Sequence, residues 1–467
     1  MSSSAIATYL DLLTEPLALD SQARMDQYHQ QHKLYFGDRM MCTVLRPRFL
    51  SPEQYHFLQR RVRILLGAFD KIQSAALAND TFRKQFGLSG EEDELAMLDP
   101  GFHPFPTSRF DSFYVSDDEL RFTEYNSETP AGAAYNVALS QMFLAMPAFQ
   151  AFQRKYQVYP MPTSYGVMST LLTAYEQWLG RRSLPRIAIL DWKEVPTYSE
   201  FILYQNLFQD HGLEAVIADP REVTYTGNRL RTADGKPIDL IYKRVLISEL
   251  IERGGMEHPV IRAVKAQHVC MVNPFRCKIL YKKASFAVLS DERNAHLFTV
   301  QELAAIHEHI PWTRVVVDRE SKPPLPRKAG PAIVKDIAQK AGGKTIDLVA
   351  FINANKDGLV LKPNDDYGGK GIVLGWTVDQ SVWEKSVQVA LNTPYIVQER
   401  VNLPKEPFPF IAEGKLKVSD IMVDTNPFVC HGQYMDGCLS RISSSELLNV
   451  TAGTGSTVPT FVVESRG

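Results

Sequence analysis

The sequence predicts a mixed α/β (α+β) chain, and three stretches carry that prediction. Residues 186–244 alternate strand and helix with short links. There "RIAIL" reads as a buried strand ending at Asp191, "EFILYQNLFQDHG" as a helix, "LEAVIADP" as the next strand and "IDLIYKR" as a later one. That order makes a right-handed α/β unit with parallel strands. Residues 109–126 read as an antiparallel hairpin instead. Residues 358–376 read as two short strands joined by a glycine loop.

The remaining elements follow in chain order. Residues 1–95 read as mainly helical, with the polar "FRKQFGLSGEEDELAML" closing the stretch. Residues 132–182 return to helix after the hairpin, from "AGAAYNVALSQMFLAM" onward. In α/β units ligands lie beyond the C-terminal ends of the strands. That places Asp191, Lys193, Asp219 and Arg244 at a candidate edge, although each reads equally well as a solvated loop charge. "RESKPPLPRKAGP", residues 319–331, reads as a surface linker or turn.

Composition excludes several function classes. A chain of 467 residues is long enough for two or three domains, and a net charge of -2 gives no electrostatic footprint for nucleic acid. No apolar stretch reaches the length of a membrane span. The start, "MSSSAIATYLDLLTEP", lacks a basic region followed by an apolar one, so no secretion signal is expected. The five cysteines include no Cys-x-x-Cys pair, which predicts free thiols in a reducing cytoplasm. "HEH" at 307–309 places two histidines on different faces of a helix and predicts a solvated helix rather than a metal site.

The glycine loop "LKPNDDYGGKGIVLGW", residues 361–376, raises the question of phosphate binding. It fails the Walker A pattern, since Asn364 stands where the first glycine belongs and Gly371 follows Lys370. It also misses the spacing of the dinucleotide fingerprint. The flanks "GLVLKP" and "GIVLGW" are β-rich, so the loop joins two strands with no helix dipole behind it. A glycine hairpin of this kind can act as a flap that offers backbone N–H groups to phosphate oxygens. From the loop alone, an ordinary Asp/Gly-rich turn reads equally well.

The stretch "RFDSFYVSDDELRFTEYNSETPAG", residues 109–132, is more informative. A hairpin symmetric about Asp117–Asp118 sets Asp111 opposite Glu124 and Arg109 opposite Asn126. All four then share one face, because strand side chains alternate with period two. Opposed Cβ atoms lie roughly 4.5–5.5 Å apart, so two carboxylates there repel unless something positive sits between them. Magnesium suits such a set, since it takes carboxylate and amide oxygens and leaves positions for phosphate oxygens. Arg109 adds a fixed fork of donors. The competing reading is a surface salt-bridge cluster.

These residues carry a resemblance. Arg-x-Asp, twelve residues, then Glu-x-Asn-Ser-x-x-Pro-x-Gly resembles the magnesium-binding end of ATP-grasp ligases. The glycine loop with Lys362 resembles their phosphate flap, and "YIVQERV", residues 395–401, their adenine hinge strand. "PFRCKILYKKASFAVLSD", residues 274–291, looks like the segment carrying the first phosphate lysine, taken as Lys283 with Lys282 possible by register. In ordinary ATP-grasp chains the Glu-x-Asn hairpin comes last. Here it comes first, which resembles the circularly permuted ATP-grasp proteins, the group that includes glutathionylspermidine synthetase.

The resemblance spans roughly residues 105–467 and leaves the helical region at 1–100 unexplained. It implies a permuted magnesium-binding part at 101–182, a pre-ATP-grasp Rossmann-like α/β unit at 183–270 and nucleotide-binding lobes at 271–467. It implies ATP and magnesium as cofactors and small-molecule or peptide carboxylates and amines as substrates. Lys283, Lys362, Gly368, Gly369, Lys370 and Gly371 would hold phosphates, with Gln398 and Glu399 beside adenine. Asp111, Glu124 and Asn126 would hold magnesium, while Arg109 and Arg441 would contact the transferred group. Asn449 and the glycines of "TAGTGST" are weaker carry-overs. The implied activity is an ATP-dependent carboxylate–amine ligase, against phosphate transfer alone or nucleotide binding without catalysis.

Overall fold

The computed structural model describes residues 2–366, 368–445 and 455–466. The N-terminal region contains helices α1 (Ser2–Leu12) and α2 (Glu15–His32), a short strand β1 (Arg48–Leu50) and the long helix α3 (Pro52–Ala78). α3 starts on a capping box: Ser51 accepts from the Gln54 amide while the Gln54 side chain returns to Ser51. The shorter α4 (Gly90–Ala96) repeats the device with Ser89 and Glu92. The α3 face bearing Leu58, Val62, Leu65, Phe69 and Ile72 is buried in a core that also takes Phe110, Phe122 and Tyr125 from the hairpin. The N-terminal region therefore shares its core with the hairpin.

The hairpin forms as β2 (Ser108–Ser116) and β3 (Glu119–Asn126). Arg109 pairs with Asn126 and Asp111 with Glu124, as the symmetric turn predicts, but the register shifts between Asp111 and Ser112 so that Ser112 opposes Phe122. Helix α5 (Ala133–Ala145) and a short helix Pro147–Gln153 follow. The expectation of continuous helix over 132–182 then fails. "YQVYP" forms strand β4 (Tyr156–Pro160) before helix α6 (Thr163–Leu179), because residues 461–465 at the far end of the chain pair with it.

The α/β unit follows as β5 (Ile187–Leu190), α7 (Tyr198–Asp210), β6 (Ala215–Ala218), β7 (Leu240–Lys243), α8 (Ile247–Gly254) and β8 (Cys270–Val272). Its strands are parallel in the order β8-β7-β5-β6. Next come helix α9 (Ala284–Ser290), helix α10 (Val300–His309) and β9 (Thr313–Val315). β10 (Leu359–Pro363), β11 (Val373–Leu374) and β12 (Tyr395–Glu399) complete an antiparallel sheet in the order β9-β12-β10-β11. β10 and β11 pair directly, so the glycine loop does join two strands.

The last strands are β13 (Lys405–Ala412), β14 (Lys415–Val423), β15 (Asn426–Cys430), β16 (Tyr434–Ser443) and β17 (Gly455–Ser465). Among the described residues they form a nine-stranded sheet with the hairpin, in the order β13-β14-β16-β15-β2-β3, and β17 joins β16 to β1 and β4. Phe428 of β15 pairs with Arg109, which seats the hairpin beside strands some 300 residues later in the chain.

Two expectations need correction. His309 is buried, with its Nδ1 on the Leu120 carbonyl at 3.0 Å, so only His307 lies on the solvated side of α10. The 319–331 segment is no free linker, since Arg327 ion-pairs with Glu399 and donates to the Ile310 carbonyl at 2.8 Å. All five cysteines are buried and unpaired. Among the described residues no helix is long and apolar enough to cross a membrane.

Candidate active site

One cavity of about 680 Å³ collects the hairpin, the glycine loop, β10, β12, β16 and the C-terminal edge of the parallel sheet. Arg109, Asp111, Glu124 and Asn126 line it from the hairpin, Lys283 and Lys362 lie beside them, and Arg441 comes from β16.

Asp111 is the most heavily bonded of these groups. It accepts from Arg109 Nε at 2.7 Å and Nη2 at 3.1 Å, from Arg441 Nη2 at 2.8 Å and from Asn126 Nδ2 at 3.1 Å. Four N–H donors fill the roughly four acceptor positions of a carboxylate. Burial alone would raise its pKa, but the Arg109 and Arg441 guanidiniums outweigh burial and hold it at about 2. Arg441 is fixed in turn by Asp424, whose Oδ2 takes its Nε at 2.6 Å and whose Oδ1 takes its backbone N–H at 2.5 Å. Arg109 also donates to the Ala131 carbonyl at 2.6 Å.

Glu124 faces Lys283, whose Nζ lies 3.0 Å away and also donates to the Asp366 carbonyl at 2.7 Å. The opposed carboxylates are therefore not a bare repelling pair, because arginine and lysine supply the positive charge between them. Lys362 Nζ donates to Gln398 Oε1 at 2.8 Å and to the Thr123 carbonyl at 3.4 Å. Burial lowers its pKa to about 8, against Glu124, which raises it. Thr123 sits where the hairpin register shifts, a position the symmetric reading passes over.

The loop brings Gly368, Gly369 and Lys370 to the cavity wall. Gly371 turns away: a Cβ there would fall 2.7 Å from Pro363 Cγ, and its φ of +67° disfavours any side chain. Gln398 and Glu399 line the cavity on β12. Gln398 Nε2 donates to Thr313 Oγ1 at 3.0 Å, while Glu399 Oε2 is buried without a hydrogen-bond partner among the described residues. Lys282 is drawn elsewhere, to Glu92 at 2.7 Å and Asp365 at 2.6 Å. Asn449 and residues 451–454 of "TAGTGST" lie outside the described residues.

Of the four nominated edge residues, Asp191 and Arg244 line the cavity. Asp219 pairs with Arg221 at 2.6 Å, and Lys193 with Glu222. Arg244 pairs with the fully buried Glu200 at 3.2 Å and donates to the Pro130 carbonyl at 2.7 Å. Burial pushes Asp191 up to about 7. A carboxylate whose folded pKa lies above its unfolded value favours folding at low pH and loses that contribution as pH rises, here between about 4 and 7. Asp191→Asn is therefore expected to stabilise the protein by about 1–2 kcal/mol at pH 8 and to change little at pH 4. Thermal melts at the two pH values check this.

No family profile matches the chain, and no curated protein matches its sequence. Its structure is similar to that of a glutathione synthetase-like effector from Globodera pallida, with a TM-score of 0.59 at 11% identity, over 97% of this chain and 99% of that one. D-alanyl-alanine synthetase A of Vibrio cholerae, at a TM-score of 0.27, 11% identity and coverage of 58% of this chain and 73% of its own, is too distant to bear on the fold. The same holds for a D-cycloserine synthetase at a TM-score of 0.26, 11% identity, and 59% and 90% coverage. The full-length likeness shows that this chain shares the architecture of that synthetase-like effector, with one cavity lined by the carboxylate hairpin, Lys283, Lys362 and the glycine loop.

Proposed function

We propose that the chain is an ATP-dependent carboxylate–amine ligase that forms an amide through an acyl phosphate and releases ADP and phosphate. One observation carries the reading: a cavity is lined by Lys283, Lys362 and the glycine loop together with Glu124, Asn126, Arg109 and Arg441, and Lys283 Nζ lies 3.0 Å from Glu124. A carboxylate oxygen of the first substrate attacks the γ-phosphorus of ATP, and the bond to ADP breaks. The amine nitrogen of the second substrate then attacks the acyl carbon and expels phosphate. Such chemistry asks mainly for positioning and charge neutralisation.

The residues fit the two ligands unequally. The buried, unpartnered Glu399 Oε2 suits a hydroxyl or amino donor of the nucleoside. Lys283, Lys362 and the backbone N–H groups of the flap suit the phosphates. For magnesium, Glu124 and the Asn126 amide oxygen are the donors, since the Asn126 N–H is committed to Asp111. Asp111 already accepts four N–H groups and serves a cation only if one of them yields. Among the described residues no cluster of three or more Asp, Glu, His or Cys is placed for a metal, so most of the ion's ligands would be phosphate and water oxygens. Magnesium bound there would neutralise phosphoryl oxygens.

We read the chain order as a circular permutation, supported by the pairing of Arg109 with Phe428, which sets an early hairpin into a late sheet. The division at residues 100, 182 and 270, a cytoplasmic setting, and a small-molecule or peptide carboxylate with an amine as substrates belong to the same proposal. A coupled ADP-release screen over amino acids, small peptides and amines, with mass spectrometry of the products, tests it. ADP, phosphate and an amide are expected. AMP and pyrophosphate would overturn the reading, and a phosphorylated product without amide would replace it with phosphate transfer.

A further inference from the structure

Lys282 leaves the cavity for a buried ion cluster that the proposed chemistry does not use. Three carboxylates, Glu92, Glu128 and Asp365, meet three ammonium groups, Lys243, Lys278 and Lys282. Lys278 Nζ lies 2.9 Å from Asp365 Oδ1, 3.0 Å from Glu128 Oε2 and 3.5 Å from Glu92 Oε1. Lys282 Nζ lies 2.6 Å from Asp365 Oδ2 and 2.7 Å from Glu92 Oε2. Lys243 Nζ lies 3.5 Å from Glu128 Oε1. The signs balance, as buried charges require, and loss of one partner would strand another.

The cluster joins segments far apart in sequence. Glu92 lies in α4 of the N-terminal region, Glu128 follows the carboxylate hairpin, Lys278 and Lys282 precede Lys283, and Asp365 is the root of the flap. Asn364 makes a second tie beside it. This buried residue accepts from the Lys283 N–H at 3.0 Å through its carbonyl and from the Ala284 N–H at 2.8 Å through Oδ1. Its Nδ2 donates to the Phe86 carbonyl at 2.8 Å, and its own N–H to the Pro394 carbonyl at 2.8 Å. Freedom in the flap resides in Gly368, Gly369 and Gly371, all at positive φ. The root, with Asp365 three residues before Gly368, is held by Lys278, Lys282 and the bonds of Asn364.

We propose that the N-terminal segment around residues 86–92 is a positioning element for the phosphate end of the cavity. Glu92 and the Phe86 carbonyl hold the flap root and the Lys283 segment in one register. The inference rests on reading residues 364–371 as a phosphate flap, and it gives the helical N-terminal region a part in that site.

The test uses the full chain, Glu92→Gln, and the double variant Glu92→Gln/Lys282→Gln. Glutamine keeps an acceptor for the Ser89 N–H of the capping box, so the cap survives. Glu92→Gln leaves Lys282 with a single carboxylate and is expected to lower Tm. Amide exchange over residues 359–375 should quicken about tenfold and ATP affinity fall about tenfold. The double variant removes the stranded ammonium and should recover Tm. Asp365 keeps only Lys278 there, so exchange at the root and ATP affinity should stay altered. Unchanged exchange at the root in either variant overturns the proposal, as does recovery of root exchange together with Tm in the double variant. If the single variant does not fold, root exchange in the double variant decides alone. If the parent binds no ATP, the ligase reading falls, while exchange measured without nucleotide still decides the anchor.

Discussion

Lys362→Met is expected to lower ATP affinity about 10- to 100-fold, the size of one charge-assisted bond to phosphate. The same change should raise the melting temperature of the free protein. Both effects follow from one fact. Lys362 is half-buried, and the hydrogen-bond partners of its ammonium are the neutral Gln398 amide and the Thr123 carbonyl. Burial therefore holds its pKa at about 8, below the ordinary lysine value. The unfolded chain binds the proton more tightly, so free-protein stability rises with pH above about 8. Phosphate oxygens would favour the ammonium and raise its pKa. ATP affinity should then fall as pH climbs through 8, with uptake of a proton on binding. Calorimetry in two buffers of different ionisation enthalpy measures that uptake. Equal affinity in Lys362→Met and parent, or no proton uptake at pH 8.5 or so, would remove Lys362 from the phosphate site.

How far the sequence reaches is clearest in the hairpin. Period-two alternation and a polar turn are enough to pair Asp111 with Glu124. They cannot foresee the shift at Ser112, because its cause is remote: Ser112 bridges to Thr425, more than 300 residues away. The same limit explains β4, where "YQVYP" lies between helices and its strand partner is the end of the chain. Charge placement was the larger gap. Nothing local tells Lys282 from Lys283, and only the fold sends one to Asp365 and the other to Glu124. Asp424, which fixes Arg441, carries no motif of its own. The glycine loop between two strands was legible because both flanks are β-rich and the pattern misses the helix-opening phosphate loops.

Asp111→Asn and Glu124→Gln are expected to separate two carboxylates that the hairpin makes look equivalent. Each change keeps the side-chain size and removes one charge. Asp111 accepts four N–H groups, three of them from two arginines. An asparagine there turns an NH₂ toward some of those donors and leaves Arg109 and Arg441 sharing a single oxygen. Breaking a buried pair in this way costs about 3–5 kcal/mol. Glu124 is more exposed, and Lys283 keeps the Asp366 carbonyl when the carboxylate goes. Its loss should cost no more than about 1 kcal/mol. It does not stabilise the protein, as a bare like-charge pair would require, because Lys283 already neutralises Glu124. Turnover should drop about 100-fold or more in both variants, through a lost cation ligand in one and misplaced arginines in the other. Acid melts provide an independent readout. Asp111 titrates at about 2 when folded, below the ordinary aspartate value, so its contribution is present above about pH 4 and is lost as pH falls toward 2. The parent and Asp111→Asn should therefore differ widely in Tm at pH 7 and converge near pH 2. A variant Asp111→Asn that melts with the parent at neutral pH would show that the arginines do not depend on this carboxylate. Glu124→Gln releasing ADP at the parent rate would show that the hairpin holds no catalytic cation.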